Sequence, residues 1–333
     1  METKLKTYNW AILGCGKIAG KFVNDLKLLP NARLYAAASR DMERAKQFAS
    51  DHGFEKTYDS YEEMVADPAV DIVYVATPHS HHREHAILCL KHKKAVLCEK
   101  AFAINSHEVA EMVACARENN TFLMEAFWTR FQPSFNKALE ILDSGRLGAL
   151  KIVRSDFAFK AEYNPEKRLY NVDLGGGSLL DIGIYPVFAS LATLGKPSEI
   201  RTMAEFSPTG TEETVLMTFK YPGGQMASLT SSFACHSSIE TEFWCEKGTL
   251  KLNRRWFTPT TISIWDSTTQ KQELIETGPI EGAGYYYEAA HVMQCLDQGK
   301  TESDLMPLSF SADMMEILDR VRKDANIVFP KHD

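Results

Sequence analysis

Four short groups in this 333-residue chain have residue types and spacings that could do chemistry. The first is Gly14-Cys15-Gly16-Lys17-Ile18-Ala19, which fits G-x-G-x-x-G/A. A first glycine permits a tight turn, a second lets backbone approach a pyrophosphate, and a small third residue lets helix pack on strand. The helix after them offers N–H groups and its positive dipole end to phosphate oxygens. The pattern predicts dinucleotide binding at Gly14, Gly16, Lys17 and Ile18, rather than an ordinary turn.

The second group is Ser39-Arg40. NAD sites place Asp or Glu here, about 20 residues past the glycines, on the ribose 2′-hydroxyl. A carboxylate would repel a 2′-phosphate, whereas a hydroxyl and a guanidinium would bind it. NADP is therefore expected ahead of NAD, with Arg44 a second candidate and an exposed strand-end arginine the bland alternative. The third group, Glu99-Lys100, closes an apolar run at the carboxyl end of a strand, where ligands of such sheets bind. Lys100 is there either a catalytic cation or a surface charge. The fourth is Asp181 with Tyr185, four apart and so on one helix face. A buried Tyr and Asp pair is often only a structural hydrogen bond, but this one comes after Gly175-Gly176-Gly177, which would let backbone come close to something.

His79, His81, His82 and His85 are a weaker signal. His81 and His85 have the spacing of a paired metal site, yet no acid or cysteine stands at ligand spacing beside them. The better reading is a polar loop and helix start beside the cofactor, with Thr77, Pro78, His79, His82 and Glu99 among its neighbours. No metal is expected.

These residues need elements to hold them. Trp10-Ala11-Ile12-Leu13 is an apolar run suited to a strand buried on both faces. Residues 32–39, 70–76, 95–98 and 122–125 read as further strands, alternating with helices at 17–29, 41–53, 61–65, 80–92 and 106–119. Asp41 is a candidate N-cap. Such alternation means a doubly wound parallel sheet, with ligands at the strand ends Gly14, Ser39, Thr77 and Glu99. Beyond about Phe131 the pattern changes. Residues 151–160 read as a strand, 174–194 as a mostly helical stretch kinked at Gly183 and Pro186, and 199–206, 214–221, 225–233, 240–245, 249–252 and 261–265 as strands. Pro222-Gly223-Gly224 is a hairpin turn, and helices at 285–298 and 308–323 end the chain. The fold class expected is α/β: an N-terminal Rossmann domain at 1–127, and at 128–333 an α+β domain with a large open, mainly antiparallel sheet for substrate binding and oligomerisation. The free face of that sheet predicts a homodimer or larger homo-oligomer.

Bulk properties exclude other classes. A net charge of -7 with no Lys/Arg cluster speaks against nucleic acid as a partner. No apolar run approaches the roughly 20 residues of a membrane helix, and METKLKTYNW lacks the apolar core of a secretory signal. Seven scattered cysteines without C-x-x-C read as reduced thiols in a cytoplasmic protein.

Together the segments AILGCGKIA, VATPHSHH, CEKA, MEAFWTRFQP and LGGGSLLDIGIYP resemble the Gfo/Idh/MocA family of NAD(P)-dependent sugar oxidoreductases, along almost the whole chain. The resemblance is strongest to the branch holding the trans-dihydrodiol and NADP-dependent D-xylose dehydrogenases. It implies that Lys100 is the lysine of the family's E-K-P motif, touching nicotinamide ribose and substrate hydroxyl. Tyr185 would take the place of the histidine in D-x-G-x-H, and Asp181 that of its aspartate. Trp128 and Phe157 would line the substrate pocket, and Arg40 would favour NADP. Hydride would pass from a secondary alcohol or hemiacetal carbon of a sugar or cyclic trans-diol to the nicotinamide, with Tyr185 as base, or Lys100 itself, and Asp181 orienting Tyr185 or binding a substrate hydroxyl. Alternatives are an NAD-dependent inositol dehydrogenase, an NAD-dependent glycosidase, or a non-catalytic NADP-binding sensor. Ala101 stands where the motif has a proline that is often cis. A cis bond before another residue costs about 3–4 kcal/mol, so the expectation is a trans peptide with an adjusted lysine loop, or else a retained cis bond.

Overall fold

The structure, a computed structural model, describes residues 6–278 and 281–333. The amino-terminal residues 1–5, part of the stretch read as lacking a secretory signal, lie outside the described ones. By packing, the chain divides into two units. The first takes residues 6–103, 107–128 and 281–312; the second takes 104–106, 129–278 and 313–333.

The first unit is a six-stranded sheet of β1 (Tyr8–Leu13), β2 (Ala32–Ala38), β3 (Lys56–Tyr58), β4 (Ile72–Val75), β5 (Ala95–Glu99) and β6 (Leu123–Ala126). Its order is β3-β2-β1-β4-β5-β6 and every pairing is parallel. The chain reverses its direction of travel across the sheet between β1 and β4, and the carboxyl ends there are where such sheets bind ligands. The strands are apolar because both faces are covered. Ile12, Leu13, Val73 and Leu97 are fully buried. Phe22, from the helix Lys17–Leu26, stacks on Tyr74 with ring centroids 3.8 Å apart, a contact worth about 0.5–1.5 kcal/mol beyond the area it buries. Asp41 caps the helix Met42–His52 by accepting from the Glu43 and Arg44 N–H groups, as its position predicted, and Gly53 ends it in the left-handed region at φ +84°. β3, which no sequence pattern announced, is only three residues long.

The second unit is built on an eight-stranded sheet of β7 (Leu150–Ala158), β8 (Glu199–Phe206), β9 (Glu212–Lys220), β10 (Met226–Ser232), β11 (Thr241–Cys245), β12 (Gly248–Leu252), β13 (Ile262–Asp266) and β14 (Lys271–Ile275). The order is β14-β13-β12-β11-β7-β10-β9-β8. All neighbours are antiparallel except β7 and β10. Pro222-Gly223-Gly224 makes the β9–β10 turn, with Gly224 at φ +84°. One face of the sheet packs on the helices Pro133–Asp143 and Ile184–Leu194. Met203, Leu216, Met226 and Trp265 stand exposed along these strands.

The stretch Val172–Leu194 corrects two expectations. With a mean hydropathy of 1.4 it is long and apolar enough to cross a membrane, yet 83% of its most apolar 18-residue window is buried, as in a core helix. It is mostly helical, as expected, but the irregularity in it is a π turn. A short 3-10 turn over Val172–Leu174 is followed by a π turn over Leu179–Gly183, which runs into the α-helix Ile184–Leu194. Pro186 lies two residues into that α-helix and has no N–H to give to the carbonyls of the π turn before it. All seven cysteines are free thiols.

Candidate active site

In the first unit the glycine turn joins β1 to the helix Lys17–Leu26. Gly14 has φ +102°, and a Cβ there would lie 3.0 Å from both atoms of the Ala76 carbonyl and from Thr77 Cγ2. Conformation and space therefore both demand glycine. Gly16 differs. It is the N-cap, at φ -99°, and an added Cβ would meet only the Ala76 oxygen at 4.0 Å. The protein itself does not require glycine here; a pyrophosphate brought against this backbone would. The helix has no side-chain cap and no acid in its first turn, so nothing competes with an anion for its N-terminus. Ala19 is fully buried. These features fit a dinucleotide.

Ser39 comes directly after β2 and is buried; its N–H donates to the Tyr58 carbonyl, and its Oγ accepts from the Asp41 N–H at 3.4 Å. Arg40 is exposed at that strand end. Arg44, the second candidate, is used by the protein, its Nε donating to the Cys15 carbonyl of the glycine turn at 3.0 Å.

The histidines sort themselves by burial. His85 Nδ1 pairs with Thr77 Oγ1 at 3.0 Å, and its ring stacks on His81. His79 is buried, packed edge-on against His82. His82 is fully buried, with Nδ1 2.8 Å from the Ala101 carbonyl oxygen and Nε2 2.7 Å from that of Thr77. Burial lowers its pKa to about 4, although the two carbonyls favour the charged ring. Its side chain thus straps the end of β4 to the lysine loop. The Lys100–Ala101 peptide bond is cis, the second of the two conformations expected.

Beside Lys100 the Glu99 carboxylate interacts with groups from separate stretches, of which Tyr74 and Glu288 were not read as site residues in the sequence. Tyr74 Oη donates to Glu99 Oε1, and Glu99 Oε2 accepts the Lys100 backbone N–H at 3.1 Å. Glu125 and Glu288 are fully buried. Burial raises Glu125 to about 8 and Glu288 well above the carboxylate range, the Glu99 charge adding to both. Trp128 stacks on Tyr285 at 4.2 Å and 8°.

The remaining candidates lie in the second unit. Asp181 falls in the π turn and Tyr185 in the α-helix after it. Asp181 Oδ1 accepts from Arg168 Nη1 at 2.8 Å, a partner no spacing announced. The Tyr185 ring lies among Phe157 at 5.6 Å, Phe257 at 5.0 Å and Trp256 at 6.4 Å, and Phe157 stacks on Phe257 at 4.3 Å.

The triple glycine answers to the protein rather than to a ligand. A Cβ on Gly176 would lie 2.5 Å from the Arg168 carbonyl oxygen and 2.7 Å from that of Asn171. One on Gly177, at φ +121°, would lie 2.2 Å from Glu212 Oε1. Glu212, missed in the sequence, is a buried carboxyl from β9 whose Oε1 accepts the Leu179 N–H at 2.9 Å, at the head of the π turn. Its Oε2 has no hydrogen-bond partner among the described residues. Burial pushes Glu212 up to about 7. Because its folded pKa exceeds the unfolded one, the proton on Glu212 stabilises the fold below about pH 4.5, and that stability is lost as pH rises through 7. Glu212→Gln keeps the shape and the contact to Leu179 and is expected to flatten the decline, by about 3 kcal/mol in total. Denaturant unfolding across pH 4 to 8 checks this; parallel profiles for the two proteins would refute it.

Comparison with known proteins agrees with this geometry. A family model described as "Oxidoreductase family, NAD-binding Rossmann fold" matches residues 8–127, and the GFO/IDH/MocA C-terminal domain matches residues 135–251. Human trans-1,2-dihydrobenzene-1,2-diol dehydrogenase is 38% identical over 331 residues, 97% of this chain and 98% of that protein. The Xenopus laevis protein of the same name is 36% identical, covering 96% and 99%. Among solved structures, a 3-ketoreductase from Actinomadura kijaniata in complex with NADP is 25% identical, with a TM-score of 0.87 over 96% of this chain and 98% of that one. Fold and site thus define an NAD(P)-dependent oxidoreductase. The chain belongs to the GFO/IDH/MocA family.

Proposed function

We propose that this protein transfers hydride between NADP and the hydroxyl-bearing carbon of a sugar (aldose) or cyclic trans-diol. The observation that carries the substrate class is the second unit's aromatic cluster: a tyrosine hydroxyl on a ring flanked by Phe157 and Phe257. Apolar ring faces with one polar edge suit a carbocycle or pyranose, whose own faces are apolar and whose hydroxyls lie at the rim. The names of the near-full-length relatives point the same way.

The dinucleotide supplies the hydride acceptor. Its pyrophosphate is assigned to Gly14, Gly16, Lys17 and Ile18, with Thr77, Pro78, His79 and Glu99 along the cofactor and Ser39 and Arg40 on a 2′-phosphate. The His82 side chain, turned to two carbonyls, serves the cofactor through the loops it joins. Tyr185 takes the proton from the substrate hydroxyl as the carbon gives up its hydride. Lys100 is assigned the stabilisation of negative charge on a substrate oxygen. Asp181, fixed by Arg168, accepts from a second substrate hydroxyl, and Trp128 and Phe157 supply apolar walls. The seven free thiols support a reducing, cytoplasmic setting. The exposed apolar residues of the second sheet support assembly of copies into a homodimer or larger homo-oligomer.

Absorbance of reduced nicotinamide, with NADP and then NAD, against aldoses, inositols and cyclic trans-diols tests the reading. Turnover with NADP and an aldose or trans-diol is expected; turnover restricted to NAD and inositols would overturn it. Arg40→Asp should lower the preference for NADP over NAD by about 10- to 150-fold, the equivalent of one charge-assisted hydrogen bond of about 1.5–3 kcal/mol. An unchanged ratio of kcat/KM values would remove Arg40 from the phosphate site.

A further inference from the structure

A second constellation lies in the first unit, away from the glycine turn. His291 and Cys295 are one turn apart on the helix Tyr286–Asp297, and Asp304 is in the loop after that helix. That loop is fixed in place. Thr301 accepts the Leu123 N–H at the amino end of β6, the end of the sheet opposite the one that bears the glycine turn. Ser303 Oγ accepts the N–H groups of Leu305 at 3.0 Å and Met306 at 2.8 Å.

The hydroxyl proton of Ser303 then has an acceptor within reach, His291 Nε2 at 2.7 Å. In the tautomer in which Nε2 accepts from Ser303, that nitrogen carries the lone pair a metal ion would take. Cys295 Sγ lies 3.3 Å from the same Nε2. Asp304 Oδ1 lies 3.7 Å from it, and the three ligand atoms all fall within 4.8 Å of one another. Tetrahedral zinc with bonds of about 2.0–2.3 Å places its ligand atoms about 3.3–3.7 Å apart. The separations from Nε2 to Sγ and to Oδ1 therefore match a tetrahedral ion, and Sγ and Oδ1 stand within 4.8 Å of each other. Cys295 is buried and Asp304 exposed, so the cluster opens to solvent on the carboxylate side, where water can complete the coordination. Lys300 Nζ opposes a cation, but it sits 3.2 Å from the other carboxylate oxygen, Oδ2.

We propose that His291 Nε2, Cys295 Sγ and Asp304 Oδ1 bind one divalent ion of the zinc type, which ties the helix Tyr286–Asp297 to the loop leading out of it. On binding, the thiol gives its proton to solvent, the thiolate and imidazole become ligands, and Ser303 gives up its bond to Nε2. A thiolate with an imidazole favours zinc or a neighbouring transition ion over magnesium or calcium. The expectation of no metal came from the His79–His85 run; this site has no sequence signature because its third ligand comes from a loop.

The test uses the full chain, stripped with chelator and titrated with zinc by calorimetry, with cobalt(II) as the spectroscopic probe. One equivalent of zinc should bind in the micromolar range or tighter, and cobalt should give a thiolate-to-metal charge-transfer band. Cys295→Ser should abolish the band, and both it and His291→Gln should weaken zinc binding at least tenfold. Asp304→Asn, on an exposed residue that leaves the fold intact, should weaken it measurably, and Cys235→Ser, at the exposed cysteine, should change nothing. No stoichiometric binding, or a band that depends on Cys235 rather than Cys295, would overturn the proposal. Should Cys295→Ser fail to fold, equal zinc affinity in wild type and Asp304→Asn would do the same.

Discussion

Tyr185→Phe is expected to lower kcat by on the order of 10²- to 10⁴-fold, the usual contribution of a positioned proton acceptor, while NADP binds as before. The substitution removes one oxygen and keeps the ring that packs on Phe157, Phe257 and Trp256. The nucleotide candidates all lie in the other unit, and their affinity is therefore the internal control. Steady-state kinetics with fluorescence titration of NADPH separates the two effects. Turnover within a few-fold of wild type would exclude Tyr185 as the base and move that role to Lys100.

The second large effect is expected at Gly177. Gly177→Ala puts a methyl group 2.2 Å from Glu212 Oε1 and forces alanine to φ +121°. Left-handed strain and overpacking each cost about 1–3 kcal/mol, so a loss of on the order of 3–5 kcal/mol is predicted, with activity falling because the next turn carries Asp181. The three atoms nearest that methyl group all belong to the Glu212 carboxyl, which makes the prediction specific. Glu212→Ala alone leaves the Leu179 N–H without its acceptor, at about 1–3 kcal/mol. In the double variant the carboxyl is gone and only the backbone strain and that lost bond remain. Its destabilisation should fall well short of the sum of the single losses. Strict additivity in denaturant unfolding would show that Glu212 is not what Gly177 accommodates.

The range of each interaction decided whether the sequence disclosed it or hid it. The glycine turn, the Asp41 cap and the hairpin at Pro222 to Gly224 are fixed by residues a few positions apart, so their types reveal them. The helix Pro133–Asp143 carries a proline at its start, a local signal that the reading of the sequence passed over. β14 could not have been found by alternation, because four of its five residues are exposed. The site divides in the same way. Lys100, Asp181 and Tyr185 stand in local motifs. Arg168, Glu212 and Phe257 reach their partners from separate stretches of the second unit, and only the folded chain places them. The histidine run shows the converse: His82 has the type and position of a cofactor contact, yet it is turned inward to two carbonyls.

The π turn at Leu179–Gly183 also bears on which length changes this protein can tolerate. A π turn wraps one more residue than an α turn. Deleting any one of the five would return the segment to an α repeat and rotate the chain on its amino side by about 100° relative to the helix on its carboxyl side. Deleting Ile182 or Gly183 would shift Asp181 by one position relative to Tyr185, whereas deleting Leu179 or Leu180 would shift Ser178 and the glycines before it. Deleting Gly183 itself would bring Ile182 to the position where an added Cβ lies 2.8 Å from Ser231 Oγ. Homologous chains should therefore keep a fixed count between Gly177 and Tyr185, and gain and lose residues more freely after Leu194.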